Sequence, residues 1–464
     1  MKWLRRNWLR VIILVVAALV AFPWAEYVPM GTKTPEGWQA VLPRLSPLLN
    51  VFGALAAREW VGWTILLGVP LAVLAFFKGR VFCWRMCPMG FLAELAGKLN
   101  PWGKKTVQRV PAINKVLALL IVVSAAFGYP LAIWLDPLCI FNGFFAVWRQ
   151  PLAWTAAVTG IGFVSILLLG ICVPNIWCHK LCPLGGLQQA IMEFANRLKA
   201  RKAAQGKETA PKVMSGTMAR RTLLAAVPVA AAALVTKKAV GANAAGGIRP
   251  PGADLLRFNA LCARCGNCMT ACPFHLIHPD FGETGIDGLF SPVIHLRGAS
   301  GCPDDMSDYC SQECAKCTQV CPTGALKPLT LLQKHAVPIG LAEIDRTKCI
   351  AWKSSKLPKD DEGRSDCAVC DEYCPYKAVA LESHNGVNCP VVVADKCRGC
   401  GACEAGCPGE GLAIRVRPLK ASEYGKKLLP TELVSPEKAA KGEYGAGDVD
   451  AQKTTNEPKE GTTK

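Results

Sequence analysis

The sequence predicts two dissimilar halves: a polytopic α-helical membrane domain of four helices plus a fifth signal or anchor helix, then a soluble half organised by clustered cysteines. Three observations carry that expectation. Apolar residues make up 51% of the 464-residue chain and the mean hydropathy is +0.24, above the range of an ordinary soluble domain. Charge is split: residues 1–250 hold 28 Lys/Arg against 7 Asp/Glu, residues 251–417 hold 17 against 20, and residues 418–464 hold 8 against 8. Of the 24 cysteines, 6 precede residue 200 and 18 follow residue 260. The formal +18 therefore belongs to the apolar half, which points to basic loops beside a membrane and away from nucleic acid.

The membrane half, residues 1–200, has apolar stretches at 10–26, 60–77, 114–134 and 153–174, and a fifth follows at 221–236. A bilayer core needs roughly 20 helical residues. Loops holding 21 Lys/Arg (before the first stretch, at 78–115 and at 178–221) alternate with loops holding only Lys33, Arg44, Arg58 and Arg149. The positive-inside rule places the N-terminus and the basic loops in the cytoplasm of a bacterial inner membrane. The fifth stretch lies in a basic linker, 201–250, and runs from Arg220-Arg221 to Ala242-Asn243-Ala244. Twin arginines, a mild apolar run and a small-residue site read as a twin-arginine export signal, with a plain fifth transmembrane helix as the alternative. Either reading puts the half beyond residue 250 on the periplasmic side.

One short motif occurs twice: Cys83-Trp84-Arg85-Met86-Cys87-Pro88 and Cys178-His179-Lys180-Leu181-Cys182-Pro183, each followed by a residue and a glycine. Both copies fall at the expected cytoplasmic ends of helices two and four. Four thiolates converging there would satisfy one iron–sulfur cluster; free thiols or a dithiol relay is the alternative. Cys139 and Cys172 read as ordinary buried thiols.

Residues 251–417 carry the remaining groups. Cys262, Cys265, Cys268 and Cys272-Pro273 follow C-x-x-C-x-x-C-x-x-x-C-P without deviation, as do Cys397, Cys400, Cys403 and Cys407-Pro408. Zinc ribbons use paired C-x-x-C instead, so the spacing points to [4Fe–4S] clusters. Cys310, Cys314, Cys317 and Cys321-Pro322 have one extra residue in the first gap, and Cys349 stands far upstream of Cys367, Cys370 and Cys374-Pro375. Four clusters are expected, with Cys302 as an alternative to Cys310 and Cys389 left over beside a proline. Such a chain lacks the periodicity of a conventional core, so the clusters themselves organise it. The five histidines here show no ligand spacing, no Rossmann or P-loop signature appears, and C-x-x-C-H is absent, so nucleotide and haem have no seat. The tail 418–464 reads as disordered.

With these motifs in hand, the first 200 residues resemble the NapH-type membrane ferredoxin, and residues 215–417 resemble the NapG-type periplasmic four-cluster ferredoxin. The whole is similar to a NapG–NapH fusion, with MauM and MauN proteins as relatives. The resemblance implies an α+β, duplicated bacterial-ferredoxin-like soluble half. It also implies that outer groups pair, Cys262, Cys265 and Cys268 with Cys407, and Cys272 with Cys397, Cys400 and Cys403. The shifted gap in group two and the long insertion in group three depart from the pattern. The function implied is a quinol dehydrogenase component that draws on the quinone pool of the bilayer and feeds a periplasmic cytochrome c and terminal reductase, such as nitrate reductase. Electron supply for maturation of a periplasmic enzyme and redox sensing are the competing functions. Glu59, Asp136 and His179 are the ionisable groups near membrane ends that could take a quinol proton.

Overall fold

The computed structural model describes residues 2–22, 38–57, 68–100, 113–128, 130, 132–146, 160–205, 246–255, 257–285, 288–296, 309–358, 364–409 and 412–419. It divides into two compact units, Met1–His295 with Ser300–Pro303 and Lys316–Pro328, and Leu296–Ala299 with Asp304–Ala315 and Leu329–Lys464. The division does not follow the composition boundary near residue 250, because the segment carrying the first cysteine group packs with the helices. The twin-arginine segment, Glu59, Cys302 and the tail beyond residue 419 lie outside the described residues.

In the first unit the two Cys-Pro motifs are built alike. An apolar helix, Val69–Lys78 or Ile161–Cys172, leads into a tight turn of helix, Val81–Arg85 or the π-helical Trp177–Leu181. Cys87 and Cys182 then stand in extended backbone with ψ of 117°, and a proline opens the next helix, Pro88–Gly97 or Pro183–Gln205. Proline dictates both features. It bars the α region to the residue before it, and its fixed φ and missing N–H suit the first helical position. The helices then cross between repeats: Pro88–Gly97 packs on Ile161–Cys172, and Pro183–Gln205 packs on Val69–Lys78 and Asn114–Ala126. Gly186 permits the second approach, since a Cβ there would lie 2.1 Å from Asn114 O. This exchange brings the two motifs into one core, with Leu48, Met89, Ile121, Leu138, Phe141 and Leu184 buried beside them.

Other faces of these helices carry exposed apolar side chains at helical spacing: Ile12, Val16 and Leu19; Val69, Val73 and Phe77; Ile161, Val164 and Leu168. Among the described residues no helix is long and apolar enough to cross a membrane; the expected spans at 60–77 and 153–174 are described only in part. Cys172 corrects an expectation. It is exposed, because it lies two residues past Gly170 on a helix whose buried face is Phe163, Ile166 and Gly170, about 200° round the axis.

The rest of the first unit is held by a short antiparallel pair, β1 (Ile277–Pro279) with β2 (Pro292–Ile294), and by an isolated bridge from Ala253 to Leu326. Arg249 is buried at its centre. Its guanidinium donates to Ser291 Oγ and Pro292 O, both at 2.8 Å, to Asn259 Oδ1 at 2.6 Å and to Thr284 Oγ1 at 2.8 Å. Asp280, fully buried, lies 4.0 Å away and supplies the countercharge.

In the second unit β3 (Gly340–Ile344) pairs antiparallel with β6 (Ile414–Pro418), and β4 (Val379–His384) forms a hairpin with β5 (Val387–Val392). The hairpin turns at Asn385-Gly386, both at positive φ, the requirement of a type I′ turn. Its core is small, and six of its fourteen buried residues are cysteines: Cys349, Cys374, Cys389, Cys397, Cys403 and Cys407 stand among Ala342, Trp352, Val379, Val387 and Ile414.

Replacing Arg249 by Ala leaves Asp280 buried without its partner, a loss of about 3–5 kcal/mol. Replacing Arg417, whose partner Glu343 is exposed, costs about 1 kcal/mol or less. Urea midpoints of the two variants, followed by fluorescence, should separate by that margin.

Candidate metal centres

Three cavities are each ringed by four thiols. Cys262, Cys265, Cys268 and Cys321 line one of about 370 Å³ with Phe258, Met269 and Leu326. Cys349, Cys367, Cys370 and Cys407 line one of about 360 Å³ with Ile344, Val369 and Ile414. Cys374, Cys397, Cys400 and Cys403 line one of about 340 Å³ with Ala342, Val379 and Tyr376. Each cage takes three thiols from one group and the pre-proline thiol from another. Cys349 reaches its cage despite its distance in sequence.

The pairing corrects the implied one. Group one takes its fourth thiol from group two, not from Cys407, and groups three and four exchange theirs. The strand pairing explains it: β3 precedes group three, β6 follows group four, and their ladder closes the chain around those two groups alone. The bridge from Ala253, before group one, to Leu326, after group two, does the same in the first unit. Among the described residues groups one and two thus share one cage, and groups three and four share two.

The cages fit [4Fe–4S] clusters. Among the described residues no three His, Cys, Asp or Glu side chains are placed to hold a single metal ion; the thiols surround a space instead. Backbone amides aim at the sulfurs: Leu326 N donates to Cys321 Sγ at 3.4 Å, Ala378 N to Cys374 Sγ at 3.2 Å and Ala342 N to Cys397 Sγ at 3.5 Å. Such donors favour thiolate and raise a bound cluster's potential. Burial, with repulsion from neighbouring thiolates, pushes the Cys262, Cys370 and Cys400 thiols up to about 12, a direction that a bound cation reverses. Gly399, at φ 67°, shapes one of the tight loops, and a Cβ on it would lie 2.4 Å from the Gly340 backbone. A cluster supplies one-electron chemistry; the chain supplies ligands, amide donors and an apolar wall against water.

Four thiols of the sixteen remain. Cys272 stands in extended backbone before Pro273, and Cys317 is buried on the helix Lys316–Gln319. In the second unit Cys310 and Cys314 are half-buried, and the Lys334 ammonium donates to the carbonyls of Ser311 and Cys314. Cys389 is fully buried on β5 with its thiol 3.6 Å from Ala351 O, away from every cage. No cage uses a histidine; His278 and His295 stack 5.2 Å apart beside β1 and β2.

In the helical half, Cys83, Cys87, Cys178 and Cys182 lie in one core cluster. The two repeats match in detail: Gly90 N donates to Cys87 Sγ at 3.4 Å and Gly185 N to Cys182 Sγ at 3.5 Å. Each pre-proline sulfur therefore sits at a helix N-terminus, where the helix dipole favours a thiolate. Burial, and repulsion from Cys83 and Cys178, push Cys87 and Cys182 up. Two partners escaped sequence reasoning. Arg80 donates to the Cys178 carbonyl and lies beside Cys83, and Gln188, fully buried, accepts from Cys83 Sγ at 3.3 Å. Asp136 is fully buried and takes the Ser46 hydroxyl, while His179 is exposed.

Comparison with known proteins agrees with this chemistry. A family model described as a 4Fe–4S dicluster domain matches residues 261–326, the two groups that share a cage in the first unit. Another, a 4Fe–4S binding domain, matches residues 60–109 and 155–202, one motif copy each. The methylamine utilization ferredoxin-type protein MauM of Methylophilus methylotrophus is 33% identical over 186 residues, 38% of this chain and 73% of that protein. The chain belongs to the family of NapG and MauM ferredoxin-type proteins. NapG of Haemophilus influenzae is 29% identical over 40% of this chain and 70% of its own, and NapG of Escherichia coli 30% over 38% and 72%. No solved structure matches. As a ferredoxin-type protein with 4Fe–4S domains, the chain is an iron–sulfur electron-transfer protein.

The pairing is checked by Cys407→Ala in the full chain. Under native alkylation with mass-spectrometric mapping, Cys349, Cys367 and Cys370 should become reactive while Cys262, Cys265 and Cys268 stay protected. The opposite pattern would restore the outer pairing.

Proposed function

We propose that this chain joins a NapH-type membrane ferredoxin to a NapG-type periplasmic ferredoxin and acts as a quinol dehydrogenase component. Quinol is oxidised at the helical half, and electrons leave through [4Fe–4S] clusters to a periplasmic acceptor, a cytochrome c or a nitrate reductase system. The observation that carries this reading is the gathering of Cys83, Cys87, Cys178 and Cys182 in one buried cluster, each motif copy matching a 4Fe–4S binding domain. Four thiols are the complement of one cluster, a fifth beside four in the ferredoxin half.

The membrane placement is supported by the loops holding 21 positive residues against 4 and by the outward apolar stripes, which a soluble protein rarely leaves uncovered. In this reading the N-terminus stays cytoplasmic, the twin-arginine segment exports or anchors the ferredoxin half, and the cages lie on the periplasmic side of a bacterial inner membrane. Buried Asp136, within electrostatic reach of Cys83 and Cys87, is an acid available to a quinol proton. A second reading has its own support: the similarity to MauM proteins, whose name is methylamine utilization, equals that to NapG, and favours electron supply to a maturing periplasmic enzyme. The two readings share the cages and differ in the acceptor.

The test is anaerobic addition of a quinol analogue to the full chain in nanodiscs. The cluster absorbance should bleach. Cys83→Ala and Cys178→Ala should each abolish that response while dithionite still reduces the remaining clusters. A wild-type chain that dithionite reduces and quinol does not would overturn the proposal.

A further inference from the structure

The first ferredoxin cage and the helical thiol site belong to the same compact unit, and one helix touches the surroundings of both. Pro137–Ala146 begins at Asp136, whose carboxylate accepts from Leu138 N at 2.9 Å and Cys139 N at 3.4 Å and so caps the helix. Asp136 also lies within electrostatic reach of Cys83 and Cys87. One turn on, Cys139 is fully buried in one cluster with Leu49, Ile133, Ala263 and Cys265. Asn142 then donates from Nδ2 to Cys265 O at 2.9 Å and to Asn267 Oδ1 at 2.5 Å. Gly143 completes the seat, for a Cβ there would stand 3.3 Å from Arg264 O. From Asp136 to Asn142 the helix rises only about 9 Å.

Other helical-half groups close around the same loop. Trp134 stacks under the Arg264 guanidinium at 5.3 Å, Arg257 reaches Ala56 O at 3.2 Å, and Arg44 lies within electrostatic reach of Cys265 and Cys321. Asn142 and Asn267 are both buried. A buried amide pair spanning two segments is costly unless both members are bonded, so this seat is specified rather than incidental.

We propose that helix Pro137–Ala146 is the electron bridge of the chain, seating the cage of Cys262, Cys265, Cys268 and Cys321 as the entry point for electrons from the Cys83, Cys87, Cys178 and Cys182 site. Asn142, Gly143 and Cys139 are positioning residues: they hold the two sites at a fixed separation. The step is a single-electron transfer in which the helical site is oxidised and the Cys262 cage reduced, with no bond made or broken. The quinol that supplies the electrons belongs to the function proposed above, on which the direction of flow rests; the seat itself does not depend on it.

The test uses the full chain in nanodiscs with two readouts. In the dithionite-reduced protein, the electron paramagnetic resonance of one ferredoxin cluster should show magnetic interaction with the helical site, lost in Cys83→Ala and weakened in Asn142→Leu. With quinol as reductant, Asn142→Leu should slow cluster reduction severalfold at unchanged iron content. Should Asn142→Leu lose iron, Gly143→Val tests the same seat by adding bulk against Arg264 O. Wild-type rates and unaltered interaction in an iron-replete variant would overturn the bridge. Interaction present in the wild type and weakened in the variants, with no response to quinol, would keep the bridge and reject the quinol reading.

Discussion

Every metal centre in this chain depends on the junction between a cysteine and the proline after it. Proline denies its predecessor the helical region, so the thiol is left in extended backbone, as Cys87, Cys182 and Cys272 all show. At Cys87 and Cys182 the proline also opens a helix, and the sulfur at that N-terminus receives an amide hydrogen. Which ferredoxin groups share a cage is then set by the strands that close on each other. In the helical half the same junction sends each following helix across to the other repeat, and the crossing gathers the four thiols.

The cost of the arrangement is burial of sulfur. Rings of four thiols in apolar walls disfavour thiolate, and burial together with mutual repulsion drives several far up. Only bound metal makes such sites favourable, so loading and folding are coupled. The second unit shows this most plainly: with its cysteines set aside, its core is a handful of alanines, valines and one tryptophan. The first unit is different. There the helices and the Arg249 network supply packing that metal does not, and the seat at Asn142 ties a cage to that scaffold.

Cysteine spacing made the sixteen ferredoxin thiols legible, since three thiols per tight loop leave few other chemistries. It also marked the two Cys-Pro repeats of the helical half. The pairing was not legible, because it is set by which strands close on each other, and β3 meets β6 across some 70 residues of a chain with weak strand signals. Cys139 and Asn142 were hidden for a related reason. Their importance comes from what they touch across more than 120 residues of sequence, and a lone buried thiol in an apolar helix has no signature. Cys172 was misread because apolar surroundings in sequence do not fix which face a helical residue takes. Arg80 and Gln188 left no signal, having no counterpart at the matching positions of the other repeat.

Five four-thiol sites, four in the ferredoxin half and one in the helical half, are what the proposed electron path requires. Mössbauer spectroscopy of the full chain grown on enriched iron measures them most directly. About twenty iron atoms per chain are expected, all in [4Fe–4S] environments, falling by one cluster when Cys83 and Cys178 are both replaced by alanine. Sixteen or fewer, unchanged by that double substitution, or iron in mononuclear sites, would contradict it.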